Sequence, residues 1–230
     1  SNLPMLQEAN GVVVEKTDFE KVGSIILNNK LPELSDKRVR KALAYAVDYD
    51  WLIETITNGA GYATECAYLG HKTTGFSSAS SITHYNYDLE KAKELMAEAG
   101  YPNGEGFPVL KATITELRKN VVEVLQQCWG ELGLTIEINV VESSVVWDEI
   151  RTGNVSIGIV FNNCMVDSTM YDSYFAEGSA SNFTGYNNPE LQALLAEAAK
   201  ELDATKRQEL FDQIWTIITD DVPSIWMYYE

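Results

Sequence analysis

The sequence predicts an α/β fold, and three observations carry that prediction. Between residues 107 and 161, short β-rich runs alternate with helix-period segments in the order strand, helix, strand, helix, strand. At these lengths the alternation implies βαβ crossovers, hence parallel strands and right-handed connections. Other segments place apolar residues at i, i+3, i+4 and i+7, the spacing of a helix with one buried face. Further β-rich runs stand towards both ends of the chain, at 12–14, 25–27 and 223–229.

Taken in order, Val12 to Val14 and Ile25 to Leu27 read as two strands or extended passages separated by polar residues and Gly23. Ser35 is placed to cap a helix running to about Val47, whose buried face holds Val39, Ala42, Leu43, Ala46 and Val47. A short helix follows through Trp51 to Thr57. The run Asn58-Gly59-Ala60-Gly61 stops it, because glycine accepts the positive φ that a helix end needs. Residues 60–87 show no period and read as an irregular excursion, a length of structureless chain that is usually functional or packed over another part of the fold. Asp88 caps a helix to Ala99 that Gly100 closes, and Tyr101-Pro102-Asn103-Gly104 is a turn.

The central alternation begins with a strand over Phe107 to Ile114. Thr115 opens a helix with Leu117, Val121, Val124, Leu125, Cys128 and Leu132 on one side, ended by Gly133. Leu134 to Val141 alternates apolar and polar, a helix spans about Ser144 to Thr152, and Val155 to Phe161 forms the third strand. Asn188-Pro189-Glu190 supplies cap, first-turn proline and a dipole-favoured acid to a helix with Leu191, Leu194, Leu195, Ala198 and Leu202 in register. A last helix, about Ala204 to Thr219, precedes the closing strand over 223–229.

Composition narrows the function. Of 230 residues 45% are apolar, enough for a real core, and 17 Lys+Arg against 34 Asp+Glu leave a net charge of −17. Such an excess of acid opposes any partner held through phosphates, so nucleic acid is not expected. No apolar run reaches the roughly 18 to 20 residues needed to span a bilayer. Residues 1–30 lack the basic start and apolar stretch of an export signal, which would then have to stand outside this sequence. Three scattered cysteines, 66, 128 and 164, read as small core hydrophobes, and Cys128 falls on a helical apolar face. Cys66 and His71 form the one nucleophile-and-base pairing near in sequence, with nothing to orient it, and His71 and His84 stand too far apart for a helical metal pair. No phosphate loop or nucleophile elbow is present, and no cofactor or metal is expected.

The richest polar and aromatic stretch is 161–175, directly after the third strand of the βαβ set. Ligands of open α/β sheets bind beyond the carboxyl ends of strands, so Phe161, Asn162, Asn163, Cys164 and Asp167 are the candidate ligand-binding residues. Arg38 and Arg40 read as structural groups pairing with acids, and Trp147 and Trp226 as core or interface aromatics.

Four ordered motifs add a resemblance. Leu34-Ser35-Asp36-Lys37-Arg38-Val39-Arg40-Lys41-Ala42 through Asp48, Tyr87-Asp88 through Gly100-Tyr101-Pro102, Tyr186-Asn187-Asn188-Pro189-Glu190, and Asp221-Val222-Pro223-Ser224-Ile225-Trp226 resemble segments of family 5 extracellular solute-binding proteins. These are the peptide- and nickel-binding receptors of ABC importers. Gln127 to Leu134 is similar to a helix end of the same family. The resemblance implies one lobe, the carboxy-terminal one, of a type II periplasmic-binding-protein-like fold, with a mixed sheet flanked by helices and residues 1–30 near the hinge. It also implies an extracytoplasmic, non-catalytic receptor. Its partners would be an amino-terminal lobe, an ABC permease, and an oligopeptide or similar small solute, with a nickel chelate or heme as alternatives. By the same resemblance Phe161 stands where the family places a ligand-contacting Trp, and Asp167 is the nearest acid for a peptide ammonium group. The family's Asp-Pro after that acid has no counterpart here.

Overall fold

The computed structural model describes residues 3–9, 11–13, 21–58, 61–64, 73–163 and 172–229. Helix α1 (Leu3–Glu8) precedes strand β1 (Lys21–Leu27), which is followed by α2 (Pro32–Ser35), α3 (Lys37–Tyr45), α4 (Tyr49–Thr57) and β2 (Tyr62–Ala63). The middle of the chain runs α5 (Leu89–Glu98), β3 (Leu110–Ile114), α6 (Lys119–Gly130), β4 (Ile136–Val140), α7 (Ser143–Thr152) and β5 (Ile157–Asn163). Helices α8 (Asp172–Phe175), α9 (Pro189–Ala198) and α10 (Ala204–Asp221) lead to β6 (Ser224–Tyr229).

Among the described residues the strands form a six-stranded sheet in the order β2-β6-β1-β5-β3-β4. Strand β3 lies parallel to both β4 and β5, as the βαβ reading requires, whereas β1 is antiparallel to β5 and β6. The sheet is therefore mixed. Successive side chains of a strand point to opposite faces, and β1 divides accordingly. Ile25 and Leu27 join the core built with α3 to α6, while Ile26 packs with Val146 and Ile150 of α7, and Val22 joins the cluster of α9 and α10 around Trp215.

Several boundaries differ from the sequence reading. Val12 and Val13 lie outside any strand and are 44% and 83% exposed, and Val14 lies outside the described residues. β-branched residues form strands only where a neighbour pairs with them. The cap of α3 is Asp36, which accepts from the Arg38 amide at 2.8 Å, and Ser35 instead closes α2. Helix α4 ends at Asn58 with φ of 51°, so the left-handed residue is asparagine rather than one of the glycines. Leu117 sits in a 3₁₀ turn, 78% exposed, and Leu202 lies beyond α9, 94% exposed. The predicted closure of α5 by Gly100 holds, at φ 96°, and α7 likewise ends on a left-handed glycine, Gly153 at φ 72°.

The end of the sheet where β6 begins is tied by a buried arginine. Arg40, 3% exposed, donates to the backbone carbonyls of Leu34, Ser35, Asp221 and Val222 at 2.6–3.0 Å. The last carbonyls of a helix have no partner within it, so the guanidinium completes the C-terminus of α10. The expected acid partner belongs to Arg38, whose Nη2 lies 2.6 Å from Asp36 Oδ2. Around Arg40, Lys37 bonds Asp220 and Asp221, Lys41 bonds Asp220, and Asp221 accepts from Tyr186 Oη at 2.6 Å and Asn188 Nδ2 at 3.0 Å. Burial alone would raise the Asp221 carboxyl, but the bonds from Tyr186, Asn188 and Lys37 outweigh it and hold it below the ordinary range.

Candidate functional site

Register brings the site together. Lys21 pairs with Asn163, Val22 with Asn162 and Gly23 with Phe161, and Val22 also pairs with Tyr229. The amino end of β1 and the carboxyl ends of β5 and β6 thus share one edge of the sheet. Strand β3 runs parallel to β5, so the turn that follows it, Glu116–Arg118, reaches the same edge.

Phe161 is the centre of this edge. Its ring lies over β1 at the one position with no side chain. A Cβ on Gly23 would stand 2.6 Å from Phe161 Cε1 and 3.3 Å from Met227 Cε. The Tyr228 ring meets it edge-on, with centroids 5.5 Å apart at 64°. Two cations attend the same ring: the Arg118 guanidinium carbon is 3.6 Å from its centroid and Lys21 Nζ 5.8 Å. Neither cation forms an ion pair among the described residues. In a chain of net charge −17 they mark a locally positive edge.

Asn162, next along β5 and so on the opposite face of the sheet from the ring, has its Nδ2 buried and without a hydrogen-bond acceptor among the described residues, a costly state for an amide. Asn163 is exposed. The structure thus brings three of the five predicted residues to one edge, but on strand β5 itself, which extends two residues beyond the predicted end at Phe161. Cys164 and Asp167 lie outside the described residues, as do Cys66 and His71. Sequence reasoning missed Arg118, Lys21 and Gly23. Arg118 was within reach of the rule that selected Phe161, since it too follows the carboxyl end of a strand in the βαβ set.

Chemically the edge offers a flat aromatic surface and a guanidinium stacked on it whose N–H donors are uncommitted among the described residues, with an idle amide donor on the other face of β5. Such a set recognises anionic or carbonyl oxygens and planar groups. Among the described residues no group of three His, Cys, Asp or Glu is placed to hold a metal ion. None of the helices described is long and apolar enough to cross a membrane.

This sheet with helices on both faces is the fold of type II periplasmic binding proteins. DppA of Helicobacter pylori, solved in complex with the peptide STSA, superposes with a TM-score of 0.89 at 22% identity, over 100% of this chain and 46% of its own. The family described as bacterial extracellular solute-binding proteins, family 5 Middle, matches residues 1–187, and the chain belongs to it. Relatives include heme-binding protein A of Haemophilus influenzae, 31% identical over 215 residues, covering 89% of this chain and 38% of that protein. Oligopeptide-binding protein AppA of Bacillus subtilis is 25% identical over 221 residues, 88% of this chain and 40% of its own. The chain spans about two-fifths of the length of these curated relatives.

Proposed function

We propose that this chain forms one lobe of a two-lobed receptor that captures a small solute outside the cytoplasm and hands it to an ABC importer, without catalysing a reaction. In this reading the edge carrying Phe161 and Arg118 is one wall of the ligand cleft, and the opposing wall belongs to a second lobe. The observation that carries the reading is the Arg118 guanidinium stacked on Phe161 with no ion pair among the described residues, at the edge where an α/β sheet binds its ligands. A clamp needs rigid lobes whose closure excludes water, and the packed sheet supplies that rigidity while leaving its edge polar groups for the ligand.

The ligand class that suits these groups carries a carboxylate. An oligopeptide has one at its C-terminus and heme has two, so the guanidinium fits either of the ligands for which the relatives are named. We read the oligopeptide as the first choice, with Asp167 as partner for its ammonium end and Cys164 alongside. Residues 1–30 would then lie near the hinge and residues 60–87 would form an excursion across the lobe.

Two lobes are needed for affinity, because a single wall leaves most of the ligand in water. Calorimetric titration with short peptides should give no saturable heat with the 230-residue chain alone, and should give one when the rest of the receptor is restored. Tight, saturable binding by the chain alone would overturn the two-lobed reading.

A further inference from the structure

Strand β6 carries one residue more than β1 can match. Gly23 pairs with Tyr228 and Ser24 with Trp226, so Met227 has no opposite number on β1, and the register shifts between Gly23 and Ser24. Such a bulge changes which way the residues after it face. Ile225, Met227 and Tyr228 all belong to the core built with α3 to α6, whereas Trp226 and Tyr229 pack with the Trp215 cluster on the other face. Strict alternation from Ile225 would turn Tyr228 towards Trp215 and Tyr229 towards Phe161. The extra residue instead puts two consecutive side chains, Met227 and Tyr228, on the face that carries Phe161.

Both are fully buried, and both meet the surroundings of the ring. The point that a Cβ of Gly23 would occupy lies 2.6 Å from Phe161 Cε1, 2.8 Å from Phe161 Cζ and 3.3 Å from Met227 Cε, so the thioether methyl and the ring edge come together over one glycine. An unbranched methionine suits that narrow space. The Tyr228 ring stands edge-on to Phe161, 5.5 Å away at 64°. Against the ring so held lies the Arg118 guanidinium, its central carbon 3.6 Å from the centroid. A guanidinium stacked on an aromatic face keeps its N–H groups in its own plane, so the contact orients the cation without spending its donors. Arg118 needs that support, because it projects from a 3₁₀ turn whose Glu116 and Leu117 are exposed.

We propose that Met227 and Tyr228 are positioning residues for the Arg118 guanidinium: the bulge builds the seat of the Phe161 ring, and the ring aims the cation. The inference rests on the reading of this edge as the ligand wall, and adds that the cation is oriented before a ligand arrives, which lowers the ordering cost of binding.

The test reads ring and cation by NMR in the 230-residue chain, without ligand. The Arg118 side-chain protons, assigned by their loss in Arg118→Ala, should resonate upfield of their position in the urea-unfolded chain, because they lie over an aromatic face. Met227→Ala should remove more than half of that displacement, and Met227→Leu, which restores the volume, should recover most of it. Tyr228→Leu should also remove more than half, while Tyr228→Phe should keep it, since the ring and not the hydroxyl makes the contact. Met96→Ala empties a buried position of α5 in the same core. It should lower the unfolding midpoint but leave the displacement intact, which separates positioning from a general loss of stability. No displacement in the unsubstituted chain, a displacement that survives Met227→Ala or Tyr228→Leu, or an equal loss in Met96→Ala would overturn the inference. None of these readings involves a peptide, so a failure of the ligand-wall reading appears only in the peptide titrations and is distinct from a failure here.

Discussion

Arg40 and Arg118 stand at the two ends of one sheet and show what each end is for. Arg40, at the amino end of β6, is buried and gives its donors to four backbone carbonyls. Arg118, at the carboxyl end of β3, lies half-buried on the Phe161 ring with no ion pair among the described residues. At the first end the donors are satisfied within the chain, with Lys37, Lys41, Tyr186 and Asn188 all closing on Asp220 and Asp221. At the second, a guanidinium and an ammonium lie against the Phe161 ring, and the Asn162 amide on the other face of β5 has no acceptor among the described residues. The difference separates a platform from the surface proposed for recognition.

The contrast can be broken most severely at Arg40. Arg40→Ala strands the carbonyls at the end of α10 and between α2 and α3, and should cost about 3 kcal/mol or more. A urea unfolding midpoint lowered to match, with the slope unchanged, is the expected outcome. A shift within experimental error would mean that the platform does not depend on this arginine.

A smaller effect is expected at Gly23. A methyl group there meets Phe161 at 2.6 Å, so Gly23→Ala must displace the ring or the strand. The cost should be about 1–3 kcal/mol, as for other overpacked sites. The displaced ring should also weaken ligand binding by the complete receptor beyond what the stability loss explains. Full affinity with a displaced ring, checked by the chemical shifts of Phe161, would take the ring out of the site.

The mildest probe is acid. Asp220 and Asp221 are both held below the ordinary carboxylate range, against burial that would raise them, by their lysine, tyrosine and asparagine partners. A carboxylate whose folded-state pKa is depressed contributes stability that is present above its unfolded value near 3.8 and is lost as pH falls through the folded value. Unfolding midpoints should therefore drop below about pH 4, and the drop should shrink in Asp221→Asn. An identical pH profile in that variant would remove Asp221 from the account.

How far the sequence carried these features follows from what each depends on. Local chemistry was legible: Asp88 caps α5, Asn188 caps α9 with Pro189 behind it, and the alternation over 107–161 gave the parallel strands. Positions decided by partners far along the chain were not. Arg38 and Arg40 look alike in sequence, but only Arg40 meets the end of α10, about 180 residues away. Leu117 fits the helical period of α6, yet the helix begins two residues later and leaves it exposed beside Arg118. Of the site, the strand-end rule found Phe161, Asn162 and Asn163, because that rule depends on topology. Lys21 and Gly23 belong to the antiparallel neighbour β1, whose pairing with β5 has no local signal.

The most direct test of the account is Arg118→Ala in the receptor with both lobes present, titrated with the tightest-binding member of a short-peptide library while the unfolding midpoint is measured in parallel. Affinity should fall at least tenfold with the midpoint unchanged, because in the proposed cleft Arg118 serves the ligand rather than the fold. Unchanged affinity, or a loss matched by an equal loss of stability, would contradict it.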